Sequence, residues 1–146
     1  SQMTRGMVAT VLHRMAGSPA AEKESGFSDV GRGLYYSVAV DWAAEQGIVT
    51  GYEDGSFRPE KNVTRAEFAA MLYRYGENAG MDMGEASQDR LLAFADASQV
   101  GVWARPSMAY MIEKEIIIGN EQKQLQPSRG ILRAEGAAML ERFCLQ

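Results

Sequence analysis

Residues 64–67 read Thr64-Arg65-Ala66-Glu67, and the same pattern opens two other stretches, Thr4-Arg5-Gly6-Met7 and Leu132-Arg133-Ala134-Glu135. The arginines stand 60 and 68 residues apart. Matching apolar positions follow each opening: Val8, Val11, Leu12 and Met15; Phe68, Met71, Leu72 and Tyr75; Met139, Leu140 and Phe143. Steps of three, four and seven put each set on one face of a helix. A chain that repeats in this way is built from copies of one unit, and this decides its architecture before any single element does.

Working outward, Phe27-Ser28-Asp29-Val30 answers Phe94-Ala95-Asp96-Ala97, and the stretch Gly47 to Gly51 answers Glu115 to Gly119. Two full repeats are thereby marked, 27–76 and 94–144. The first repeat is represented by its final helix alone, 1–16, so its own Phe-x-Asp opening and first helix lie upstream or are absent. Each full repeat reads as helix, loop, helix, an all-α unit. The pattern predicts helices over Leu34–Gln46 and Ala104–Lys114, with Trp42, Ala43, Met108, Met111 and Ile112 in the core. Gly51 to Pro59 carries two glycines, an Asp-Gly turn signal and a proline, which predicts a structured loop with a short hairpin. Ala16–Gly26 and Gly76–Asp89 are small, polar and glycine-bearing, and read as connections between repeats.

Composition narrows the function. With 146 residues, 46% hydrophobic and 23% charged, the chain fits one compact domain, 1–146. A net charge of -4 argues against nucleic-acid binding through a basic patch. One cysteine, Cys144, excludes an intrachain disulfide, and one histidine, His13, excludes a His-rich metal cluster. The longest aliphatic cluster, Ile116-Ile117-Ile118, falls far short of the ~18 residues a membrane span requires. Ser1 to Thr4 show no basic segment followed by an apolar one, so an export signal would have to lie upstream.

The middle repeat carries Gly47-Ile48-Val49-Thr50-Gly51-Tyr52-Glu53-Asp54-Gly55-Ser56-Phe57-Arg58-Pro59 and then Thr64-Arg65-Ala66-Glu67-Phe68. This combination, with Phe27-Ser28-Asp29-Val30 before it, resembles the S-layer homology domain family. The resemblance implies repeats folded about a pseudo-threefold axis as a spindle around a three-helix bundle, with the first repeat truncated here. It implies an extracellular module, in the cell wall or S-layer, without catalysis or cofactor. Its partner would be the secondary cell-wall polysaccharide of a Gram-positive wall, commonly bearing pyruvylated amino sugar, bound in grooves between repeats. The last repeat departs from the pattern, with Gln122-Lys123 for the Asp-Gly turn and Leu132 for the threonine, which predicts an altered loop and at most two intact grooves.

The residues themselves supply part of the chemistry. Thr64 as N-cap and Glu67 three residues on form a capping box, worth about 1 kcal/mol. A cation in the first turn opposes the helix dipole by ~0.3–1 kcal/mol, yet Arg5, Arg65 and Arg133 all sit there. Something negative should offset it: either the acidic sugar substituent or an inter-repeat ion pair to Asp29, Asp96 or Glu67. Asp29 and Asp96 either cap a helix or make an Asx turn, or accept sugar hydroxyls. Tyr35 and Trp103 are equivalent aromatics at helix starts that stack on a sugar ring or fill core. Gly51 and Gly119 are turn glycines or let a sugar approach the backbone, and Tyr52 lines the same groove, with Asn120 as its counterpart. His13 falls on the solvent side of its helix, Cys144 reads as an incidental thiol, and Glu53-Asp54-Gly55 lacks the alternating ligands of a calcium loop, so no metal site is expected. Two further classes remain beside wall binding. Self-association would use surface left by the truncated first repeat, and a glycosidase would use two of the many carboxylates.

Overall fold

A computed structural model describes residues 1–145. The described residues form six α-helices, α1 (Arg5–Met15), α2 (Ser37–Glu45), α3 (Arg65–Asn78), α4 (Asp89–Leu92), α5 (Arg105–Glu113) and α6 (Arg133–Cys144), and two short 3-10 turns, Ala97–Gln99 and Val102–Ala104. The described residues contain no sheet. Isolated antiparallel bridges join Gln2 to Leu132, Thr4 to Asn62 and Thr64 to Gly130.

Those bridges organise the molecule. The residue two before each repeat arginine is apolar and buried: Met3, Val63 and Ile131. The amide of Val63 donates to Met3 O (2.9 Å), that of Ile131 to Val63 O (2.9 Å), and that of Met3 to Ile131 O (3.0 Å), which closes a ring of three. A second ring follows two residues outward on each side, from the amides of Arg5, Arg65 and Arg133 to the carbonyls of Lys61, Arg129 and Ser1 at 2.8–2.9 Å. Buried amides need partners, and those of Met3, Val63 and Ile131 find them in a neighbouring lead-in segment. The lead-in segments of α1, α3 and α6 thus close on one another through backbone hydrogen bonds, in an all-α fold.

The three helix starts are not equal. At α3 the capping box is complete: Thr64 Oγ1 accepts from the Glu67 amide (3.1 Å) and Glu67 Oε1 accepts from the Thr64 amide (2.9 Å). At α6 only the acidic half operates, Glu135 Oε1 accepting from the Leu132 amide at 3.0 Å, because Leu132 has no side-chain oxygen. At α1 Thr4 Oγ1 accepts from the Met7 amide (3.2 Å), and the Met7 sulfur lies 3.5 Å from the Thr4 amide where the other repeats put a carboxylate.

The helices that open each full repeat lie within a few residues of expectation. α2 begins at Ser37 rather than Leu34 because Ser37 Oγ bonds the Leu34 amide and the Gly31 carbonyl, holding 31–36 in a turn. Trp42, Ala43, Met108, Met111 and Ile112 are all buried, as predicted, in one continuous apolar core. Both helices stop on a left-handed residue, Gly47 (φ 75°) and Glu115 (φ 58°).

The loops that follow correct two expectations. No hairpin ladder forms over 51–59; the loop is a turn closed by Tyr52 N–H to Ser56 O at 2.8 Å. Nor is the last repeat's loop altered, since Asn120 N–H reaches Gln124 O at 3.0 Å in the same way and Lys123 takes a φ of 57° where Gly55 has 82°. The connection expected from Gly76 is partly helical. Gly76 lies inside α3, where a Cβ would stand 2.7 Å from Met83 Sδ and 3.1 Å from Phe143 Cζ. α4 begins at Asp89, the last residue of that connection, and its Leu91 is fully buried.

The sulfur in the α1 capping position is a weaker acceptor than a carboxylate, and it lies 3.6 Å from Arg133 Nη2. Met7→Glu should therefore complete the box, complement the helix dipole and raise stability by about 1 kcal/mol. Chemical denaturation measures it; an unchanged or lowered midpoint would mean that Met7 is held by packing instead.

Candidate functional site

The repeat arginines do not stay at their helix ends. Arg5 crosses to the loop of the next repeat, where Nε donates to Phe57 O and Nη2 to Thr50 O, each at 2.8 Å. Its guanidinium lies 4.4 Å from the Phe57 ring centroid and 4.9 Å from that of Tyr52, whose ring also carries Arg58 at 3.8 Å. Arg5 is only 7% exposed. Burial pulls its pKa below the ordinary arginine value, with Tyr52 and Glu67 acting against that shift. Among the described residues no carboxylate lies within 4 Å of it. The groove beside it has a volume of about 290 Å³ and is walled by Thr50, Gly51 and Tyr52, by Glu67 and Arg74 of α3, and by Trp103.

Arg65 repeats the crossing one unit on. Its Nε donates to Leu125 O at 2.9 Å, but its Nη1 lies 3.5 Å from Glu135 Oε2, which Arg129 also grips. Burial lowers the Arg65 pKa. Burial alone would raise that of Glu135, but the Leu132 amide and the guanidinium groups of Arg129 and Arg65 outweigh it and hold the carboxyl below its usual range. The adjoining groove, about 460 Å³, is lined by Ile117, Ile118 and Gly119 and by Glu135, Met139 and Arg142 of α6.

Arg133 is exposed and enters a third groove of about 400 Å³, with Met3, Met7 and Val11 on one side and Tyr35 and Leu140 on the other. The loop that walls the other two grooves has no counterpart there among the described residues.

Eight of the ten residues singled out from sequence fall into three separate grooves. Arg5 meets Gly51, Tyr52 and Trp103; Arg65 meets Gly119; Arg133 meets Tyr35. Tyr35 and Trp103 are 61% and 58% exposed, so neither fills core, whereas Trp42 is 4% exposed and does. Gly51 and Gly119 are required by their own repeats. A Cβ would stand 2.2 Å from Phe27 Cε1 at the first and 2.5 Å from Phe94 Cε1 at the second, so the phenylalanine of each Phe-x-Asp opening occupies that space.

Asp29 and Asp96 neither cap a helix nor make an Asx turn. Asp29 takes the amides of Phe57 and Arg58 on its two oxygens, and Asp96 those of Leu125 and Gln126, all at 2.8 Å. Each clamps the far end of its own repeat's loop. The expected ion pairs change partners accordingly, for Arg65 pairs with Glu135 and not with Asp96. His13 is half-buried and not on the solvent side, its ring 5.4 Å from Trp42 and its Nε2 2.7 Å from Pro19 O. Cys144 is exposed.

The sequence reading passed over a second arginine in each groove. Arg14, Arg74 and Arg142 each stand nine residues after a repeat arginine and line the same groove as one of them. Arg74 Nη1 lies 3.5 Å from Ile48 O and Arg142 Nη1 3.1 Å from Ile116 O. The constant offset was the available signal. Among the described residues no group of His, Cys, Asp and Glu is placed to hold a metal, and no helix is long and apolar enough to cross a membrane.

The model of the S-layer homology domain matches residues 26–69 and 93–137. The chain belongs to the S-layer homology domain family. A cellulosome-anchoring protein of Acetivibrio thermocellus is 30% identical over 146 residues, covering 97% of this chain and 32% of that protein. An S-layer protein of Bacillus thuringiensis subsp. finitimus is 33% identical over 94% of this chain and 15% of its own length. An endoglucanase of a Bacillus species is 29% identical, again over 94% of this chain but 14% of its own. The chain spans about a third or less of these relatives, and the match to the enzyme lies in the S-layer homology region. It is a non-catalytic anchoring module of the cell surface, associated with the cell wall.

The loop clamp separates structure from binding at the aspartates. Asp96→Ala leaves two amides, one of them buried, without acceptors and should cost about 2–3 kcal/mol, while Asp29→Ala, at an exposed position, should cost about 1 kcal/mol. Thermal denaturation of both variants tests this. Two stable proteins would remove the clamp as the reason for the Phe-x-Asp motif.

Proposed function

We propose that the chain anchors the protein carrying it to the secondary polysaccharide of a Gram-positive cell wall, holding an acidic, pyruvate-bearing sugar in its inter-repeat grooves through the helix-start arginines. One observation carries this reading: the Arg5 guanidinium is buried beside an open groove with no carboxylate within 4 Å among the described residues. Carbonyl oxygens satisfy two of its N–H groups, but a desolvated cation with no counter-ion is costly, and an anionic ligand offsets that cost. A planar guanidinium suits a carboxylate in particular. Trp103, exposed on the same groove, offers an apolar face for a sugar ring. The names of the anchoring and S-layer relatives point the same way.

The test is sedimentation of the purified chain with wall sacculi, before and after removal of the secondary polymer and of its pyruvate. Binding should disappear in both treated samples. Trp103→Ala and Arg5→Lys should each weaken it at least about tenfold with the helical circular dichroism unchanged. Binding to stripped peptidoglycan, or indifference to depyruvylation, would overturn the reading.

Self-association is the second reading, and the third groove favours it. Met3, Met7, Val11 and Leu140 line that groove beneath the exposed Tyr35, and Met7 stands where the other two have a glutamate. Light scattering across concentration decides between the readings. A monomer throughout rejects self-association, whereas a tight dimer without wall affinity replaces the first reading.

A further inference from the structure

The two walled grooves share one plan, but their arginines are balanced differently. In the second groove Glu135 holds the Leu132 amide with Oε1 and turns Oε2 to both Arg65 and Arg129. In the first groove the glutamate of the same repeat position, Glu67, holds the Thr64 amide with Oε1, which also lies 3.8 Å from Lys61 Nζ, and it stays beyond 4 Å from Arg5. The cation paired with the glutamate differs, since Arg129 stands where the middle repeat has Lys61. A guanidinium fork fixes a carboxylate in one orientation, whereas an ammonium on a flexible stem does not.

The walls differ in the same sense. Thr50 and Tyr52 of the first groove are replaced by Ile118 and Asn120, and Ile118 is 62% exposed. Trp103 lines the first groove, and among the described residues no aromatic side chain lines the second. An acidic ligand entering at Arg65 meets Glu135, a like charge already seated on the cation it needs. The same ligand entering at Arg5 meets a cation with no carboxylate within 4 Å among the described residues, Glu67 standing farther off in the same groove. Like charges in one partly desolvated site are strongly disfavoured, so the two grooves discriminate through repulsion as much as through attraction.

We propose that Glu135 is a built-in substitute for the acidic ligand in the second groove, so that one chain takes one acidic sugar, at Arg5, and the groove at Arg65 is closed to anions by its own carboxylate. This rests on the reading of the grooves as acidic-sugar sites and assigns that role to one of them.

The experiment is a titration of the whole chain with an N-acetylated amino-sugar glycoside bearing a pyruvate ketal, and with the same glycoside lacking it. Calorimetry counts the sites, and tryptophan fluorescence locates them, because Trp103 is exposed on the first groove while Trp42 is buried elsewhere. The wild type should take one ketal-bearing ligand per chain with a change in fluorescence. Arg65→Lys should leave the affinity within about twofold, since Arg65 then binds no ligand. Glu135→Gln keeps an acceptor for the Leu132 amide, so α6 retains its cap, and should add a second ketal-dependent site that is silent in fluorescence. Arg129→Lys, which gives the second groove the residue of the first, should also move the count from one to two. Two ligands on the wild type, or one on both folded variants, would overturn the proposal while leaving the wall-binding reading intact. No binding of the ketal-bearing glycoside or of sacculi by the wild type would remove both.

Discussion

Three buried backbone hydrogen bonds, among Met3, Val63 and Ile131, hold the molecule in register, and the grooves follow from them. Within each lead-in segment the amides of Met3, Val63 and Ile131 are satisfied by a neighbouring repeat's segment, and those of Thr64 and Leu132 by the glutamate of their own helix. Once Met3, Val63 and Ile131 are locked, the amides of Arg5 and Arg65 lie against the carbonyls of Lys61 and Arg129. That fixes each arginine's Cα beside the end of the neighbouring loop, and the side chain extends along it. The groove between repeats is thus a consequence of how the backbone closes.

The same closure answers the problem of a cation at a helix N-terminus. A long side chain carries its charge away from the helix end, and Arg5 delivers it to the carbonyls of Thr50 and Phe57 and to two aromatic faces. These partners remove most of the conflict with the helix dipole without any anion. What they leave is net positive charge in a desolvated site. In the second groove Glu135 balances it; in the first no carboxylate does so within 4 Å among the described residues.

Most of the helical architecture could be read in the sequence, because the three-four spacing recurs after Arg5, Arg65 and Arg133 and a capping box opens the helix at Arg65. The ring was not legible, since it is made by backbone atoms and its side chains are ordinary apolar residues. The work of Asp29 and Asp96 was hidden for a related reason: their partners lie 28 to 30 residues downstream, where no local motif looks. Gly76 misled in the opposite direction. It has the composition of a breaker, but tertiary packing against Met83 and Phe143 keeps it in α3. Of the candidate site, Arg5, Tyr52, Gly51 and Trp103 were named from the repeat, and the structure gathers them at one groove, while Arg65 and Arg133 go to two others. The second arginine at a constant offset of nine was equally repetitive but carried no familiar motif to draw attention to it.

One position in the repeat couples stability to groove chemistry. Met7, Glu67 and Glu135 are the third residues of their helices, and there the carboxylates of Glu67 and Glu135 cap a lead-in amide. The same side chains face the grooves, where a carboxylate either stands clear of the arginine or neutralises it. A glutamate needed for capping is not free to vary, so groove charge has to be set by a neighbour. Positions 61 and 129 are suited to that task. Their carbonyls accept the amides of Arg5 and Arg65, which fixes the backbone, while their side chains stand partly in solvent and pair with the glutamate. Changing Lys to Arg there redirects a carboxylate without touching the ring, and this is how two repeats with one backbone come to hold two differently charged grooves.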